Sequence, residues 1–384
     1  MSKPPKPAPY HFHPLEVSVL GYSGSGKTTL IERLIDDLRP FWNLAYVKHD
    51  AHSIEVDTVG KDTFRAKQAG AQSAFISNEQ KFAWMSSGKL SMFQQKSLFL
   101  ESDAVIVEGY KTLDIDKIVV LDSAAAVLDV IPETTLPRII AFVGAEVLPP
   151  RSLPIARPYF HRDDHEGIAA LLQTHWHTKL RERPLHGLVL AGGLSSRMGR
   201  DKSLLPYEGR PQALRALDLL QSLEIPAFLS LRAEQWSEEA RASLPIITDQ
   251  FLGLGPFSGI LSAMQSAPNA AWLVLACDLP LLQSPVVKHL IAMRQPQKLA
   301  TAYRSVSDGL PEPLCAIYEP AMRMRLLEAL GLGLSCPRKV LLNTASVILD
   351  PIDSLALTNV NTPDDYRTLI QTHNFTDDLR ETFL

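Results

Sequence analysis

Residues 21–28, G-Y-S-G-S-G-K-T, combine glycines, hydroxyls and a lysine at a spacing that suits phosphate binding. In a loop of this kind successive backbone N–H groups face the phosphates, Lys27 reaches the β and γ oxygens, and the Thr28 hydroxyl can ligate Mg²⁺. An apolar run precedes the loop, and apolar residues at helical spacing follow it. This strand–loop–helix context is the one that a P-loop requires, so we interpret residues 21–28 as a P-loop. The residues predicted to contact a nucleotide here are Gly21, Ser23, Gly24, Ser25, Gly26, Lys27 and Thr28.

A second loop, residues 190–206, reads L-A-G-G-L-S-S-R-M-G-R-D-K-S-L-L-P and lies between a strand-like run and a helical run. Gly192 and Gly193 have no Cβ, so backbone amides there can approach a phosphate or a base closely. Arg197 and Lys202 supply positive charge beside them. We therefore expect this loop to bind a nucleoside triphosphate.

Glu108 ends the apolar run 104–107, close to where a P-loop protein places a second magnesium contact, often through water. Asp62 is the second candidate for that contact. For either residue alone, a solvated carboxylate at a chain turn is an equally good interpretation.

Apolar runs along both halves of the chain predict an α/β protein. In the first half, strands are predicted at 17–20, 104–107, 118–121 and 139–143, and a closing helix at 168–172. In the second half, strands are predicted at 227–231, 245–248 and 272–276, and helices at 212–223 and 257–265. The alternation in the second half indicates a Rossmann-like three-layer α/β/α sandwich, with ligands at the carboxyl ends of the strands.

The length of 384 residues predicts two or three domains. The segment 173–184 is polar and lacks a sustained apolar face, so we interpret it as a linker, and the prolines near the N-terminus indicate a disordered lead-in. The predicted boundaries are a lead-in at 1–14, a P-loop domain at 15–172, the linker at 173–184, a second domain at 185–375 and a tail at 376–384.

The composition is that of a globular protein, with 46% hydrophobic and 21% charged residues. A net charge of −4 gives no support for nucleic-acid binding, and no apolar run is long enough to span a bilayer. The N-terminal lysines are not followed by the apolar core of a secretory signal. Three cysteines, an odd number, favour a reducing cytoplasm over a disulfide framework.

The P-loop half also contains V-K-H-D at 47–50, D-T-V-G-K-D-T at 57–63 and V-E-G-Y-K at 107–111. With these motifs in this order, it resembles MobB, the GTP-binding adaptor of molybdenum cofactor biosynthesis. The resemblance implies a fold similar to the SIMIBI-type P-loop NTPases, with a mostly parallel sheet between helices. It also implies GTP binding, weak GTP hydrolysis and association with MobA.

In the second half, L-A-G-G, then S-S-R-M-G, then D-K resemble the signature of nucleotidyltransferases, and more narrowly of the MobA-type molybdenum cofactor guanylyltransferases. The resemblance implies transfer of GMP from GTP to molybdopterin or Mo-molybdopterin, with release of pyrophosphate. Its catalytic residues would be Arg197, Lys202 and Asp278, and Asp278 would hold Mg²⁺. The candidates for Mg²⁺ in the first half remain Thr28, from the phosphate-binding motif itself, and Glu108, from the end of its apolar run. The substrate contacts that the resemblance implies are Leu190, Ala191, Gly192, Gly193, Lys202, Asp249, Asp278, Asn359 and Asn361.

Two of these assignments keep a purely structural alternative. Asp278 is followed by Leu-Pro, so it could be a turn former or a helix N-cap. In residues 359–365, N-V-N-T-P-D-D, Thr362 is typical of an N-cap and needs no ligand. Leu231 and Arg232 stand where many members of the family have an asparagine, so one expected nucleotide contact is missing or replaced.

The choice of base depends on Gly193 and on Gly259 in G-P-F-S-G. L-A-G-G resembles the guanine-using members of the family, whereas the cytosine-using ones more often carry L-A-A-G. The implied partners are GTP, molybdopterin, molybdenum insertion proteins and apo-molybdoenzymes. Three alternatives stay open: an enzyme that uses CTP, a sugar-phosphate nucleotidyltransferase, and a GTP-dependent delivery scaffold with an inactive transferase domain.

Overall fold

The structure, a computed structural model of the chain, describes residues 10–49, 56–193 and 201–373. The chain divides into two compact units, of which the first comprises Tyr10–Leu172 and the second begins at Gln173. Arg197 lies outside the described residues. Within the three described ranges, no helix is long and apolar enough to cross a membrane.

The first unit is built on a parallel sheet. Its strands are β1 (Glu16–Leu20), β2 (Leu44–Lys48), β3 (Ser73–Ser77), β4 (Phe82–Ser86), β5 (Ala104–Glu108), β6 (Asp116–Val120), β7 (Ile139–Gly144) and β8 (Tyr159–His161). Its helices are α1 (Lys27–Leu38), α2 (Asp62–Gln68), α3 (Met92–Leu98) and α4 (His165–Arg181), the last of which continues past Leu172. Six strands pair in parallel in the order β2-β5-β1-β6-β7-β8, which confirms the predicted sheet, and β3 and β4 form a separate antiparallel hairpin.

Every residue of β1, β5 and β6 is buried, as is usual for parallel strands that are covered on both faces. Helix α1 buries a single apolar stripe, at Leu30, Ile31, Leu34 and Leu38. The glycine-rich loop 21–28 lies between β1 and this helix, so its position is set by two well-packed elements.

The expectation of a disordered lead-in through residue 14 is wrong for residues 10–14. The amides of His11, Phe12 and His13 donate to the Glu16 carboxylate at 2.8, 2.7 and 3.2 Å. Phe12 is 2% exposed and packs in a cluster that includes Val105. Hydrogen bonds to one carboxylate and an apolar contact therefore order this segment, although its composition alone predicted disorder.

The predicted linker is helical as far as Arg181, where α4 ends. Ile168, Leu172, Trp176 and Leu180 are spaced by four residues and are each no more than 2% exposed. The apolar stripe of the helix thus continues through a segment that looks polar by composition.

The second unit contains a mixed sheet of seven strands and a separate antiparallel pair of short strands, nine strands in all within its described residues. Its strands are β9 (Leu185–Leu190), β10 (Pro206–Tyr207), β11 (Arg210–Pro211), β12 (Ala227–Leu231), β13 (Ile246–Thr248), β14 (Ala271–Ala276), β15 (Ala300–Arg304), β16 (Pro311–Tyr318) and β17 (Ser346–Leu349). Its helices are α5 (Gln212–Ser222), α6 (Glu238–Arg241), α7 (Pro256–Ser266), α8 (Ser284–Ala292), α9 (Met322–Gly331), α10 (Pro337–Leu342) and α11 (Pro363–His373). The order is β13-β12-β9-β14-β16-β15-β17, and β16 runs antiparallel to both of its neighbours.

Helices cover both faces of this sheet, which confirms the three-layer sandwich. Alternate residues of a strand point to opposite faces. Val189 and Leu229 share a core cluster with residues of α5 and α8. Their neighbours Leu190 and Ser230 face the other way, where a Cβ on Gly259 of α7 would touch both. Because β9, β12, β13 and β14 are parallel, the loops that follow them meet at one edge of the sheet.

Candidate functional site

Three glycines shape the loop between β1 and α1. Gly24 and Gly26 have φ values of +77° and +90°, a left-handed conformation that other residues rarely adopt. At Gly21, a Cβ would lie 2.6 Å from Ser25 Oγ and 2.8 Å from the Val120 carbonyl oxygen, so no side chain fits there. The backbone of the loop is therefore free of side-chain obstruction at the points where a phosphate would approach it.

Glu108, the last residue of β5, contacts the far end of this loop. Thr28 Oγ1 donates to the Glu108 carboxylate at 3.1 and 3.2 Å, and the Tyr46 hydroxyl donates to it at 2.7 Å. Lys48 Nζ lies 3.6 Å from the same carboxylate. A hydroxyl beside a carboxylate is a suitable pair of oxygen ligands for Mg²⁺ next to phosphates. Asp62, by contrast, is exposed at the start of α2.

Lys27 is folded over its own loop, where its Nζ donates to the Tyr22 carbonyl oxygen at 2.7 Å. Burial lowers the pKa of Lys27, and the nearby Glu108 carboxylate opposes that shift. A phosphate that replaced the carbonyl as partner of this ammonium would form a stronger, charge-assisted hydrogen bond.

A cavity of about 380 Å³ lies at the carboxyl edge of the second sheet. Eight of the nine residues that the resemblance assigns to substrate line it: Leu190, Ala191, Gly192, Gly193, Lys202, Asp249, Asp278 and Asn361. Asn359 is exposed and is not part of this lining. The S-S-R-M-G motif with Arg197 lies outside the described residues.

Hydrogen bonds tie the distant parts of this cavity together. Lys202 Nζ donates to Asn361 Oδ1 at 2.7 Å, although the two residues are 159 positions apart. The Val360 amide donates to the Asp278 carbonyl oxygen at 3.0 Å. The loop before α11 is thereby held against the loop after β14, and a basic side chain and an acidic one are brought to the same cavity.

Comparison with known proteins matches each half of the chain to a family. Residues 16–145 match the family described as molybdopterin guanine dinucleotide synthesis protein B, MobB, and residues 187–347 match the MobA-like NTP transferase domain. A molybdenum cofactor guanylyltransferase of Xanthomonas euvesicatoria is 34% identical over 197 residues, which cover 49% of this chain and 96% of that protein. The chain belongs to the MobA-like NTP transferase family. The domain that precedes the transferase domain matches the MobB family model, and it is called the MobB domain here.

Two further relatives are matched over part of their length. A molybdenum cofactor biosynthesis bifunctional protein of Synechocystis is 40% identical over 185 residues, 48% of this chain and 53% of that protein. A molybdopterin-guanine dinucleotide biosynthesis adapter protein of Haemophilus influenzae is 37% identical over 107 residues, 27% of this chain and 60% of that protein. The chain thus spans little more than half the length of these two relatives.

Among the described carboxylates of the MobA-like domain, Asp278 alone has a buried oxygen without a hydrogen-bond partner. Its Oδ1 is buried and accepts no hydrogen bond from any described residue. Burial raises the pKa of Asp278, and the Lys202 ammonium opposes that shift. A buried carboxylate oxygen without a partner is costly and rare in native proteins. The interpretation of Asp278 as a simple turn former leaves this cost unexplained, whereas a cation ligand accounts for it.

Asp278 is a residue that could hold a metal ion together with a bound nucleotide. Among the described residues, no group of three or more His, Cys, Asp or Glu side chains forms a protein-only metal site. Mg²⁺ is usually held by one or two carboxylates together with water and substrate phosphates. Asp278 lines a cavity beside a glycine loop, and its Oδ1 lacks a hydrogen-bond partner among the described residues, so it could serve as one such carboxylate.

Asp249 is held in place from two sides. Ser230 Oγ donates to Asp249 Oδ1 at 2.6 Å, and a Cβ on Gly192 would lie 2.7 Å from Asp249 Oδ2. Burial raises the pKa of Asp249, while the hydrogen bond from Ser230 lowers it. Gly192 is therefore required for the close approach of the loop to this carboxylate, independently of any phosphate.

Gly259 was expected to leave room for a purine base, but the structure gives it a role in packing. A Cβ at this position would lie 2.2 Å from Ser230 Oγ and 2.6 Å from Leu190 Cδ2. Gly259 thus lets α7 pack closely against the sheet and does not open space for a base. Gly193, in contrast, lines the cavity, and a Cβ added there would meet no described atom within 4 Å.

Two residues near the cavity were missed by sequence reasoning. Gln235 Nε2 donates to the Ala191 carbonyl oxygen at 2.6 Å and to Asp201 Oδ2 at 2.8 Å, so it joins both ends of the glycine loop. Glu312 is 5% exposed, and burial raises its pKa. The only sequence signal for Gln235 was its position shortly after Leu231, where the family asparagine is replaced.

Proposed function

We propose that the MobA-like domain transfers GMP from GTP to molybdopterin or Mo-molybdopterin, yielding the guanine dinucleotide cofactor and pyrophosphate. In the same proposal, the MobB domain binds GTP, hydrolyses it weakly and serves as an adaptor. The main support for the proposal is that Lys202, Asp278 and the backbone of Gly192 and Gly193 line one cavity. Asp278 Oδ1 has no hydrogen-bond partner among the described residues.

The reaction requires the protein to align the two substrates and to neutralise the charge of their phosphates. An oxygen of the acceptor's terminal phosphate attacks the α-phosphorus of GTP, and the bond from that phosphorus to the bridging oxygen of the β-phosphate breaks. The electron pair leaves with pyrophosphate. The attacking phosphate is already anionic at neutral pH, so no general base is needed.

The proposal assigns a role to each of the charged candidate residues. Lys202, positioned by Asn361, offsets the negative charge that collects on the phosphates, and Arg197 is assigned the same task. Asp278 would hold Mg²⁺, which supplies further positive charge against the triphosphate. Asp249, fixed by Ser230, would contact the nucleotide.

The partners of the protein follow from this chemistry and belong to the proposal. Molybdenum insertion proteins would supply the pterin substrate, and apo-molybdoenzymes would receive the finished cofactor. A cytoplasmic location agrees with both.

The test incubates the purified chain with Mg²⁺, molybdopterin and one nucleoside triphosphate at a time, and identifies products by mass. A site that hydrogen-bonds guanine leaves polar groups unpaired when another base enters, and such mismatches can cost a factor of roughly 10⁴. We expect guanine dinucleotide and pyrophosphate, with Lys202→Ala as the inactive control. A dominant cytosine dinucleotide would reassign the substrate, and nucleotide binding without any pyrophosphate would indicate a delivery scaffold.

A further inference from the structure

A second cavity, of about 150 Å³, lies in the MobB domain beside the phosphate-binding loop. Ser25 and Thr29 form its side nearest the loop and α1. Val120 and Val143, at the carboxyl ends of β6 and β7, form its apolar walls. Arg162 and Asp163, which directly follow β8, complete it.

The position of this cavity suits the part of a nucleotide that the P-loop does not hold. The loop binds the phosphates, so the ribose and base must leave it along the carboxyl edge of the sheet. The cavity starts at the loop and continues along that edge past β6, β7 and β8. Sites for whole drug-sized ligands measure roughly 300–1,000 Å³, so a cavity of this size suits one flat fragment of a ligand.

Two polar groups in the cavity lack partners among the described residues. Ser25 is 9% exposed, and its Oγ has no hydrogen-bond partner there. The same is true of Arg162 Nε. Arg162 Nη1 lies 3.8 Å from the position that a Cβ on Gly26 would take, so the guanidinium stands beside the loop. A planar guanidinium in this place can stack on an aromatic ring and meet polar atoms at its edge.

Asp163 stands at the mouth of the cavity as a hydrogen-bond acceptor. Its Oδ1 accepts from Arg33 Nη1 at 2.9 Å, and both side chains are substantially exposed. The hydrogen bond from Arg33 lowers the pKa of Asp163, so the group is ionised at neutral pH. An ionised carboxylate accepts hydrogen bonds and donates none.

We propose that this cavity binds the purine base of a nucleotide whose phosphates occupy the P-loop, and that Asp163 selects guanine. Guanine presents two adjacent donors, N1–H and the 2-amino group, which match the two oxygens of a carboxylate. Adenine presents a hydrogen-bond acceptor at N1, which repels the carboxylate. Arg162 stacks on the base and contributes affinity without regard to its identity. The inference rests on the proposed binding of GTP by the MobB domain.

The test asks whether Asp163→Asn shifts the base preference of the MobB domain from guanine to xanthine. Xanthine has a carbonyl where guanine has its 2-amino group, and an asparagine amide can accept from N1–H while it donates to that carbonyl. Calorimetric titrations with GTP, XTP and ATP would use the full chain with Lys202→Ala, which weakens the transferase site. We expect Asp163→Asn to lower GTP affinity about tenfold or more, the size of one lost charged hydrogen bond, and to raise XTP affinity by a similar factor.

Asp114→Asn is the matched control. Asp114 also forms an exposed pair with an arginine, Arg138, at 2.6 Å, and the side-chain exposures of 43% and 69% resemble the 45% and 65% of Arg33 and Asp163. It precedes β6 and thus lies at the opposite end of that strand from Val120. We expect this control to leave all three affinities unchanged. Arg162→Ala should weaken GTP, XTP and ATP alike.

The outcomes separate this inference from the function on which it rests. If Lys27→Ala abolishes no part of the GTP binding by the chain, the MobB domain does not bind GTP through its loop, and its proposed function is wrong. If such binding is present but Asp163→Asn leaves the ratio of GTP to XTP affinity unaltered, the assignment of the cavity is wrong. Gain of XTP binding cannot come from misfolding, so that result would support the assignment directly.

Discussion

Glu108 in the MobB domain and Asp278 in the MobA-like domain are both acidic residues at the carboxyl end of a buried parallel strand, yet their surroundings differ. Glu108 accepts hydrogen bonds from the hydroxyls of Thr28 and Tyr46. Asp278 Oδ1 is buried without a partner in the described parts of the chain, and burial raises the pKa of Asp278. The first carboxylate is therefore stabilised by the resting protein, whereas the second is kept in an unfavourable state that a cation would relieve.

The two candidate phosphate sites also differ in how they are assembled. The MobB loop derives its shape from Gly24 and Gly26 within eight consecutive residues. The MobA-like cavity requires Lys202, Asp278 and Asn361, which are far apart in the chain and meet only in the folded domain. A local site of the first kind can be predicted from one short motif, whereas Asp278 and Asn361 of the distributed site were assigned only through resemblance to a family.

The largest expected effect tests the contrast between the two carboxylates. Asp278→Ala should reduce GMP transfer by a factor on the order of 10²–10³, the usual cost of losing one well-placed electrostatic contact. Steady-state transfer rates over a range of Mg²⁺ concentrations would measure it. Glu108→Ala, in the other domain, should leave transfer unchanged. A small loss in Asp278→Ala with unaltered Mg²⁺ dependence would return Asp278 to the role of turn former.

A smaller effect is expected from two neighbouring glycines. Gly193→Ala adds a methyl group to the cavity lining without meeting any described atom, so the domain should fold normally while the KM for GTP rises about tenfold, as for one lost hydrogen bond. Gly192→Ala places the methyl 2.7 Å from Asp249 Oδ2 and should also lower thermal stability. Thermal melts and KM values for both variants would show whether the loop serves the ligand, the fold or both. Equal losses of stability would contradict the distinction.

The sequence predicted the sheet of the MobB domain and its loop because both depend on local patterns. Buried parallel strands appear as continuous apolar runs, and the loop glycines occupy conformations that other residues avoid. The L-A-G-G loop was also found, although its partner Asn361 was assigned through family resemblance alone.

What the sequence did not predict depends on contacts between distant residues. Strand β16 was missed because Pro311 and Pro313 interrupt its pattern; the strand tolerates Pro313 where the pairing with β15 shifts register between Ala302 and Tyr303. Gln235 was missed because its hydrogen bonds to Ala191 and Asp201 exist only in the folded domain.

The unfavourable state of Asp278 should appear in the pH dependence of stability. The pKa of Asp278 is raised in the folded protein, so its contribution to stability is greatest below the unfolded pKa, about 3.9, and is lost as pH rises through the folded value. Without Mg²⁺ and nucleotide, Asp278→Asn should melt a few degrees above wild type near pH 7.5, since about 1 kcal/mol corresponds to roughly 2–4 °C in a domain of this size. The difference should shrink as the pH approaches 4. An advantage that grew at low pH would contradict the assignment.

The smallest expected effect is a null result that separates the two sites. Lys27 supplies the ammonium of the MobB loop, so Lys27→Ala should abolish nucleotide binding by that domain. GMP transfer should nevertheless stay near the wild-type rate in vitro, because Lys202 and Asp278 line a cavity of their own in the second unit. Each loop would then hold its own triphosphate. The measurement combines nucleotide titration of the folded variant with its rate of GMP transfer from GTP to molybdopterin. Thr28→Ala serves as a second substitution in the same loop. A hundredfold fall in transfer in both variants would mean that occupancy of the MobB loop controls the reaction of the MobA-like domain, and the independence of the two sites would then be wrong.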